Sequence, residues 1–410
     1  MAVKELTATQ NPVGLFRHYV LTNLSYWQDY VAAELKDTAA LDRDHPQIVR
    51  AISFALELDD AWPAVEGLIE QFAAYMERRG YWEAWQWILT KALAVAQRSN
   101  DKASVVRLSA LLARLALRQS RFKEAITYHR STIHIARRIG DRTNEARACS
   151  NLGYFYIEQG YWRRAETLCC HALLIFEQLG YQHGLAHTEN HLGILYTRQG
   201  LWEQARQHLE HACAIWQAMG DEHGLVYGYD NLGRLLNEME LPDEALPYLQ
   251  QALNQAKLVG EEALTGSIHL NMGNAFRLNG ELGKAESHYW QAKAIFQRFT
   301  NSLGLALTLD NLGLIYLDQK KWQEASLHLE NALQAWSNLN NKHNEIRSIT
   351  YLVEYELLRG NQRQASNWLE KAEQLLSQYD STGEYHQLQL QVNKLRRNLS
   401  DDFPDQVAAK

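Results

Sequence analysis

Three histidines spaced four residues apart are the best candidate for a metal site. His183, His187 and His191 would share one flank of a helix, because four residues make about one helical turn. The stretch HTENH has the histidine spacing of a zinc-protease helix, yet Glu189 lies one residue too late and would point about 100° away around the helix. Histidine pairs on helices commonly bind nothing, so we expect surface and packing roles here and no bound metal.

The remaining reactive residues favour no catalytic chemistry. Four cysteines, Cys149, Cys169, Cys170 and Cys213, form no CxxC pair, and we expect them to be small buried apolar residues in a reducing cytoplasm. No phosphate-binding GxxxxGK[ST] loop, GxSxG elbow or dinucleotide-binding glycine pattern occurs. The sequence also shows neither a signal peptide nor an 18-residue apolar run. These observations predict a cytoplasmic protein that is not an enzyme, has no cofactor and does not enter a membrane.

The charge of the chain is unevenly distributed. The formal net charge is -7, but residues 98–164 hold 14 Lys and Arg against 5 Asp and Glu, a local charge of +9. Arginine can bind carboxylate or phosphate through paired N–H donors. The alternative is a solvated face whose arginines pair with acidic side chains of the same chain. The sequence leaves both interpretations open.

A 40-residue repeat explains the unusual composition of 410 residues with only 6 prolines. The triplet Asn151-Leu152-Gly153 returns around Gly193, Gly233, Gly273 and Gly313, always 40 residues apart. An alanine follows each glycine by 12 residues and another by 19, as at Ala165 and Ala172. Each unit reads as two amphipathic helices joined by a tight turn, and neither helix can bury its apolar face alone. The sequence therefore predicts an all-α stack of helix pairs.

A cysteine and a series of tryptophans occupy repeat positions that favour packing in the core over a reactive or ligand-binding role. Cys169 takes the repeat position that Leu209, Leu249 and Leu329 hold, so we expect it in the core. A tryptophan recurs at positions 162, 202 and 322, two residues after the turn. Such tryptophans could stack on a carbohydrate or a base, but the register favours core packing.

The spacing of glycine and alanines, with an aromatic residue three positions before the first alanine, resembles the tetratricopeptide repeat. The string GYWRRA at residues 160–165 is similar to that family's helix-turn-helix junction. A period of 40 instead of the commoner 34 resembles the repeats of kinesin light chain, Pins-type adaptors and the sensor arms of bacterial signalling NTPases of the STAND class. The resemblance implies a right-handed superhelical solenoid of antiparallel helix pairs with an N-terminal helical cap.

This architecture predicts five segments. We expect an N-terminal helical cap at residues 1–61, a degenerate repeat-like unit at 62–105 and seven repeats of 40 residues at 106–380. A C-terminal capping helix at 381–400 and a flexible tail at 401–410 complete the prediction.

The resemblance also implies which residues meet a ligand. In this family the first helix of each repeat lines a concave groove, and its second, fifth, ninth, twelfth and thirteenth positions face inward; Arg147 is a second position and Gly153 an eighth. A ladder of asparagines stands beside these positions, at Asn151, Asn231, Asn271 and Asn311. In peptide-binding relatives such asparagines bond the backbone of the bound peptide, and the alternative is that they bond the backbone of the neighbouring repeat. The predicted groove residues are Arg78, Arg107, Arg114, Arg118, Arg147, Asn151, Tyr154, Asn190, Arg198, Asn231, Arg234, Asn271, Asn274, Arg277 and Asn311.

The fifth position departs from one well-known binding mode. Ala110, Ser150, Asn190 and Asp230 stand where the chaperone-type clamp for a carboxylate needs lysine. The resemblance therefore does not extend to that clamp.

Three functions remain open from the sequence. The first is a non-catalytic module that binds a protein or peptide segment, for which the basic groove favours an acidic partner. The second is a peptide or metabolite sensor that acts with a separate signalling effector. The third is nucleic-acid binding through residues 98–164, which the acidic remainder of the chain disfavours. The repeat array is also compatible with a homo-oligomer.

Overall fold

The protein is built from α-helices. The computed structural model describes residues 12–34, 38–119, 121–378 and 385–401, and in this part of the chain it contains 19 α-helices and no strand. The predicted all-α fold is confirmed. No helix among these residues has both the length and the apolarity needed to cross a membrane.

The helices follow one another with short turns, as the scarcity of proline predicts. Their bounds are α1 Pro12–Glu34, α2 Thr38–Ala55, α3 Trp62–Arg79, α4 Trp82–Arg98, α5 Lys102–Arg118, α6 Phe122–Ile139, α7 Arg142–Glu158, α8 Trp162–Leu179, α9 Gln182–Gln199, α10 Trp202–Met219, α11 Glu222–Glu238, α12 Pro242–Val259, α13 Glu262–Leu278, α14 Leu282–Arg298, α15 Ser302–Asp318, α16 Trp322–Asn338, α17 Lys342–Leu358, α18 Gln362–Leu376 and α19 His386–Asp401.

The chain divides into two compact units. Residues 1–117 and 121–144 form unit 1, and residues 118–120 and 145–410 form unit 2. In unit 1, α1 packs against both α2 and α3, and side chains such as Leu24, Ile48 and Leu68 are fully buried. The division falls within the segment that the repeat pattern marks as one array.

Unit 2 is a stack of helix pairs. The pairs are α9 with α10, α11 with α12, α13 with α14, α15 with α16 and α17 with α18. Successive first helices, from α9 to α17, also contact one another and form a continuous row. The turn inside a pair needs a residue with positive φ, which is Gly200 (φ 74°) in one pair and Lys320 (φ 58°) in another.

Glycine in the first helix allows each pair to pack closely. A Cβ added at Gly193 would lie 2.5 Å from Cγ of Leu209 on α10 and 3.3 Å from the carbonyl oxygen of Ala205. Gly233 meets Leu249 in the same way, at 2.5 Å. The repeated glycine therefore makes room for the large side chain that the second helix places against it.

The chain end closes the stack. Helix α19 packs on α17 and α18 and buries Leu388, Val392 and Leu395 against them. Residues 402–410, most of the predicted tail, lie outside the described residues.

Two of the predicted core positions, Cys169 and Trp162, are confirmed, and two, Cys170 and Trp202, are wrong. Cys169 is fully buried against Gly153, but Cys170 is exposed because the next residue points about 100° away around the helix. Trp162 is buried, whereas Trp202 is 36% exposed. The difference has a clear cause, since the Trp162 ring lies 5.6 Å from His343 of α17 and Trp202 lies over the glycine of its own turn.

The close packing predicts a contrast between two glycines. Gly193→Ala should lower the free energy of unfolding by about 1–3 kcal/mol, because its Cβ overlaps Leu209. Gly283→Ala, in the first turn of α14 with open space around it, should leave stability unchanged or raise it by up to about 1 kcal/mol. Urea unfolding followed by circular dichroism measures both, and equal effects of the two substitutions would contradict the packing argument.

Candidate ligand-binding site

The first helices of unit 2 carry the candidate site. The second, fifth, ninth, twelfth and thirteenth positions of α7, α9, α11, α13, α15 and α17 are here called the inner face. Helices α9 to α17 contact one another in succession, and α7 adjoins α9 through Ser150, which bonds Thr188 and His191, so equivalent positions on successive helices are neighbours. The side chains of the inner face therefore act together, although they lie about 40 residues apart in the sequence.

A long-range contact joins the two ends of this row. Asn341, immediately before α17, donates a hydrogen bond from Nδ2 to the backbone carbonyl of Glu158 at the end of α7 (2.8 Å). The same side chain accepts a hydrogen bond from the N–H of Asn344 (3.1 Å) and is fully buried. His343 packs over Gly160 beside this bond. The row of first helices thus curls back until α17 meets α7, which encloses the inner face.

Three arginines from different helices meet next to this contact. Nη2 of Arg198 on α9 lies 3.7 Å from Oε2 of Glu158. Burial lowers the pKa of Arg198; the charge of Glu158 opposes that effect, and the positive charges of Arg234 on α11 and Arg347 on α17 add to it. Three guanidinium groups therefore share one partly buried region, in which like charges repel.

Several donors in this region have no acceptor. Nε and Nη2 of Arg234 and Nε of Arg347 are shielded from solvent, and none of them donates to any residue that the structure describes. A guanidinium has five N–H donors, and a buried donor left without an acceptor costs about 1–3 kcal/mol. The arrangement therefore has unused capacity to bind an acceptor.

Tyrosines lie around the arginines. The Tyr154 ring stacks on the His191 ring, with 5.0 Å between their centroids, and burial together with the charge of Glu158 raises its pKa. Burial also raises the pKa of Tyr351, although the charge of Arg347 opposes that change. Both phenols are therefore protonated at pH 7 and supply hydroxyl donors close to the guanidinium groups.

Two aspartates at the fifth position are already hydrogen-bonded. Asp310 accepts from Ser348 Oγ (2.6 Å) and from Trp336 Nε1 (2.7 Å), and burial raises its pKa to about 6. Asp230 accepts from Ser267 (2.9 Å) and from Asn271 (2.8 Å). Each oxygen of these carboxylates thus accepts one hydrogen bond from a serine, tryptophan or asparagine side chain, while the shielded N–H groups of Arg234 and Arg347 donate to neither aspartate.

Two of the four asparagines at the repeated position, Asn231 and Asn271, are bonded to the preceding first helix. Nδ2 of Asn231 donates to Oδ1 of Asn190 (2.9 Å), and Nδ2 of Asn271 reaches Asp230 on the preceding first helix. Asn311 bonds the Leu307 carbonyl of its own helix (3.1 Å), and Asn151 is half-buried. The bonds of Asn231 and Asn271 join side chains of neighbouring repeats, so neither of the two roles that the sequence left open, a bond to a ligand's backbone or to the neighbouring repeat's backbone, is seen for them.

Two predicted groove residues near the middle of the row also have partners. Nη1 of Arg277 lies 3.0 Å from Oδ2 of Asp318 on the next first helix. Oδ1 of Asn274 accepts a hydrogen bond from the hydroxyl of Tyr289 (2.8 Å) on the second helix of its pair.

The arginines predicted from the basic segment have different surroundings. In unit 1, Arg107 forms ion pairs with Glu66 and Glu70, and Arg114 forms one with Glu77 (2.9 Å). In unit 2, Arg147 lies over the Tyr181 ring, 5.0 Å from its centroid. Arg118 is half-buried at the end of α5, and the side chain of Arg78 lies outside the described residues.

The histidine triplet has contacts of other kinds. The rings of His183 and His187 are 4.6 Å apart, and Nδ1 of His191 lies 3.0 Å from the hydroxyl of Ser150. Glu189, the residue that a zinc-protease helix would need nearby, contacts His208 and His211 on α10 instead. Within the described ranges, no group of three or more His, Cys, Asp or Glu side chains is arranged to hold a metal ion.

The surroundings of Arg198, Arg234 and Arg347, here called the arginine region, include three residues that the sequence did not predict: Arg347 itself, Tyr351 and Glu158. Arg347 is at the second position of α17, the first helix of the last pair, and Arg107 and Arg147 hold the same position in their own helices. Tyr351 replaces the asparagine of the repeated triplet. Carrying the 40-residue register one repeat further would have found both, but the role of Glu158 depends on the return of α17 to α7, which no local pattern reveals.

The row of helix pairs with an enclosed, partly charged inner face defines an α-helical repeat protein of the interaction type. A family model described as tetratricopeptide repeat matches residues 144–218, 225–298 and 303–378. The chain belongs to the tetratricopeptide repeat family, as the spacing of its glycines and alanines predicts. Among curated proteins, none matches the sequence.

Solved structures share this fold at low sequence identity. The Rap conjugation gene regulator of plasmid pLS20, in complex with the Phr* peptide, is 12% identical with a TM-score of 0.56, over 94% of this chain and 96% of that one. Aspartyl phosphate phosphatase F from Bacillus subtilis is 13% identical with a TM-score of 0.52, over 90% and 96%. The chain spans about half, 52%, of a STAND protein with a tetratricopeptide repeat sensor from Pyrococcus horikoshii (15% identity, 77% of this chain, TM-score 0.48).

The contact between α7 and α17 predicts a pH dependence. Burial, with the charges of Arg347 and Arg198, lowers the pKa of His343 to about 3, while an unfolded histidine titrates near 6.5. As pH falls below about 6.5, the unfolded chain gains a proton that the native state excludes, so stability is lost. His343→Gln should reduce the loss of unfolding free energy between pH 7 and pH 5 by about 1–2 kcal/mol.

Urea titrations at the two pH values measure this difference. His386→Gln is the matched control, because His386 is exposed at the start of α19. The same pH-dependent loss in the His343 variant and in the unaltered protein would contradict a buried neutral His343.

Proposed function

We propose that the protein is a non-catalytic interaction module that binds a peptide or an extended protein segment on the inner face of unit 2. The observation that carries the proposal is the arginine region, where shielded N–H donors of Arg234 and Arg347 lack acceptors beside buried phenols. Folded proteins leave few buried donors without a partner, so three such N–H groups on two neighbouring arginines support a ligand at this place. A bound segment would supply the acceptors.

Two features of similar structures support a peptide as the ligand. The Rap regulator of plasmid pLS20 was solved with the Phr* peptide, and another Rap protein with Competence and Sporulation Factor (TM-score 0.53, 12% identity). Both share the helix-pair architecture over most of this chain. We extend their ligand class to this protein as part of the proposal.

A sensor is the second candidate function, and the bond between Asn341 and Glu158 favours it. A ligand that contacts α11 and α17 together would stabilise the arrangement in which α17 meets α7. Binding would then shift the balance between closed and open forms of the helix row. Small-angle X-ray scattering separates the two functions, since a sensor should become more compact on peptide binding and a rigid scaffold should not.

The compartment follows from the thiols. All four cysteines are unpaired, which fits a reducing compartment, and we propose the cytoplasm.

A displayed library of random nonapeptides tests the proposed function. Peptides selected on the unaltered protein should bind at least about 10-fold more weakly to Leu314→Trp, because the added ring enters the inner face at a ninth position of α15. Leu327→Trp is the matched control, because Leu327 is 59% exposed on α16, outside the row of first helices. Isothermal titration calorimetry with the synthetic peptides measures the affinities.

The selection has two contrary outcomes. Enrichment of no peptide, or equal binding of the enriched peptides to Leu314→Trp and to Leu327→Trp, would remove the inner face of unit 2 as the binding site.

A further inference from the structure

The arginine region has an excess of hydrogen-bond donors in a place that already contains carboxylates. Nη2 of Arg198 lies 3.7 Å from Glu158, which is too long for a strong direct hydrogen bond. Asp310 accepts hydrogen bonds from Ser348 and Trp336, and the shielded Nε of Arg347 does not donate to it. Glu158, Glu238 and Asp310 therefore offset the positive charge without accepting from the shielded N–H groups of Arg234 and Arg347.

The three arginines come together only in the folded row. Arg198 is at a thirteenth position on α9, Arg234 at a ninth position on α11 and Arg347 at a second position on α17. The bond from Asn341 to the Glu158 carbonyl fixes the start of α17 next to α7, one and a half helical turns before Arg347. The convergence is thus a property of unit 2 as a whole and not of one repeat.

The ligand group that fits these donors is an oxyanion. Guanidinium groups bind the paired oxygens of carboxylate and phosphoryl groups through two parallel N–H bonds, which an ammonium cannot reproduce. A neutral carbonyl would use one donor and leave the charge repulsion among the three arginines in place. An anion would satisfy the donors and reduce that repulsion as well.

We propose that Arg198, Arg234 and Arg347 form a subsite for one oxyanion group of the ligand, a carboxylate or a phosphoryl group. This inference rests on the proposed function, because it assigns a chemical group to the ligand of the same inner face. Arg234 and Arg347 donate to the anion through their unused N–H groups. Arg198, held near Glu158, supplies the third positive charge.

The test uses the tightest-binding peptide from the displayed library. It is synthesised in its original form and as a series of peptides in which one acidic group at a time, the C-terminal carboxyl included, is converted to the amide. One conversion should weaken binding to the unaltered protein by about 10- to 100-fold, the range expected for a charge-assisted pair. The same conversion should weaken binding to Arg347→Ala or Arg234→Ala by less than about 3-fold, because the partner is already missing.

Two further variants exclude a general loss of folding. Arg347→Lys keeps the charge and loses the paired donors, so its affinity for the unaltered peptide should lie between those of Arg347→Ala and the original protein. Arg298→Ala, an exposed arginine at the end of α14, should bind the peptide normally. Circular dichroism checks that every variant keeps its helical content.

Competition with small anions identifies the source of the oxyanion. Displacement of the peptide by acetate, and not by inorganic phosphate at equal ionic strength, assigns the subsite to a carboxylate, and the reverse assigns it to a phosphoryl group. The subsite is supported only if the anion that displaces the peptide from the unaltered protein does not displace it from Arg347→Ala.

Two results would overturn the oxyanion subsite while leaving the proposed function intact. One is equal affinity of all the amidated peptides and the original peptide for the unaltered protein. The other is a loss on amidation that persists at full size in both alanine variants. Failure of the selection itself would instead count against the proposed function.

Discussion

Close approach of paired helices is the constraint on which the rest of the structure depends. At Gly193 a single added carbon would overlap Leu209, so the distance between α9 and α10 is set by the absence of a side chain. The same arrangement recurs at Gly153, Gly233 and Gly313. Since each pair is built alike, small differences in packing add up along the stack. The same stack brings the start of α17 against the end of α7, where Asn341 donates to the Glu158 carbonyl.

The meeting of α7 and α17 changes the electrostatics of the inner face. In an open row, the inner arginines would be solvated and their mutual repulsion screened by water. Enclosure removes water from Arg198 and lowers its pKa, and it leaves N–H groups of Arg234 without acceptors. His343 remains neutral for the same reason, because burial and the neighbouring arginines disfavour its charged form. The contact between α7 and α17 therefore has two effects. It leaves N–H donors that a ligand could use, and it disfavours the charged forms of the side chains around them.

The sequence predicts the fold well because the fold is periodic. Gly153, Ala165 and Ala172 repeat with their functions intact, so helix pairs and the buried Cys169 follow from spacing alone. The predictions fail where a residue depends on a distant repeat. Trp162 and Trp202 occupy the same position, yet only Trp162 has His343 as a neighbour. No window of 40 residues contains that information.

The distribution of charge also shows where prediction from the sequence fails. The concentration of basic residues at 98–164 draws attention to Arg107 and Arg114, but in unit 1 both pair with glutamates. Arginines with shielded, unused donors are Arg234, Arg277 and Arg347, which lie in the acidic remainder of the chain, where the local net charge gives no hint of them. Binding capacity depends on which donors lack acceptors after folding, and a surplus of positive charge in the sequence does not measure that quantity. Enclosure of a few arginines is therefore a better guide to this site than the density of arginines along the chain.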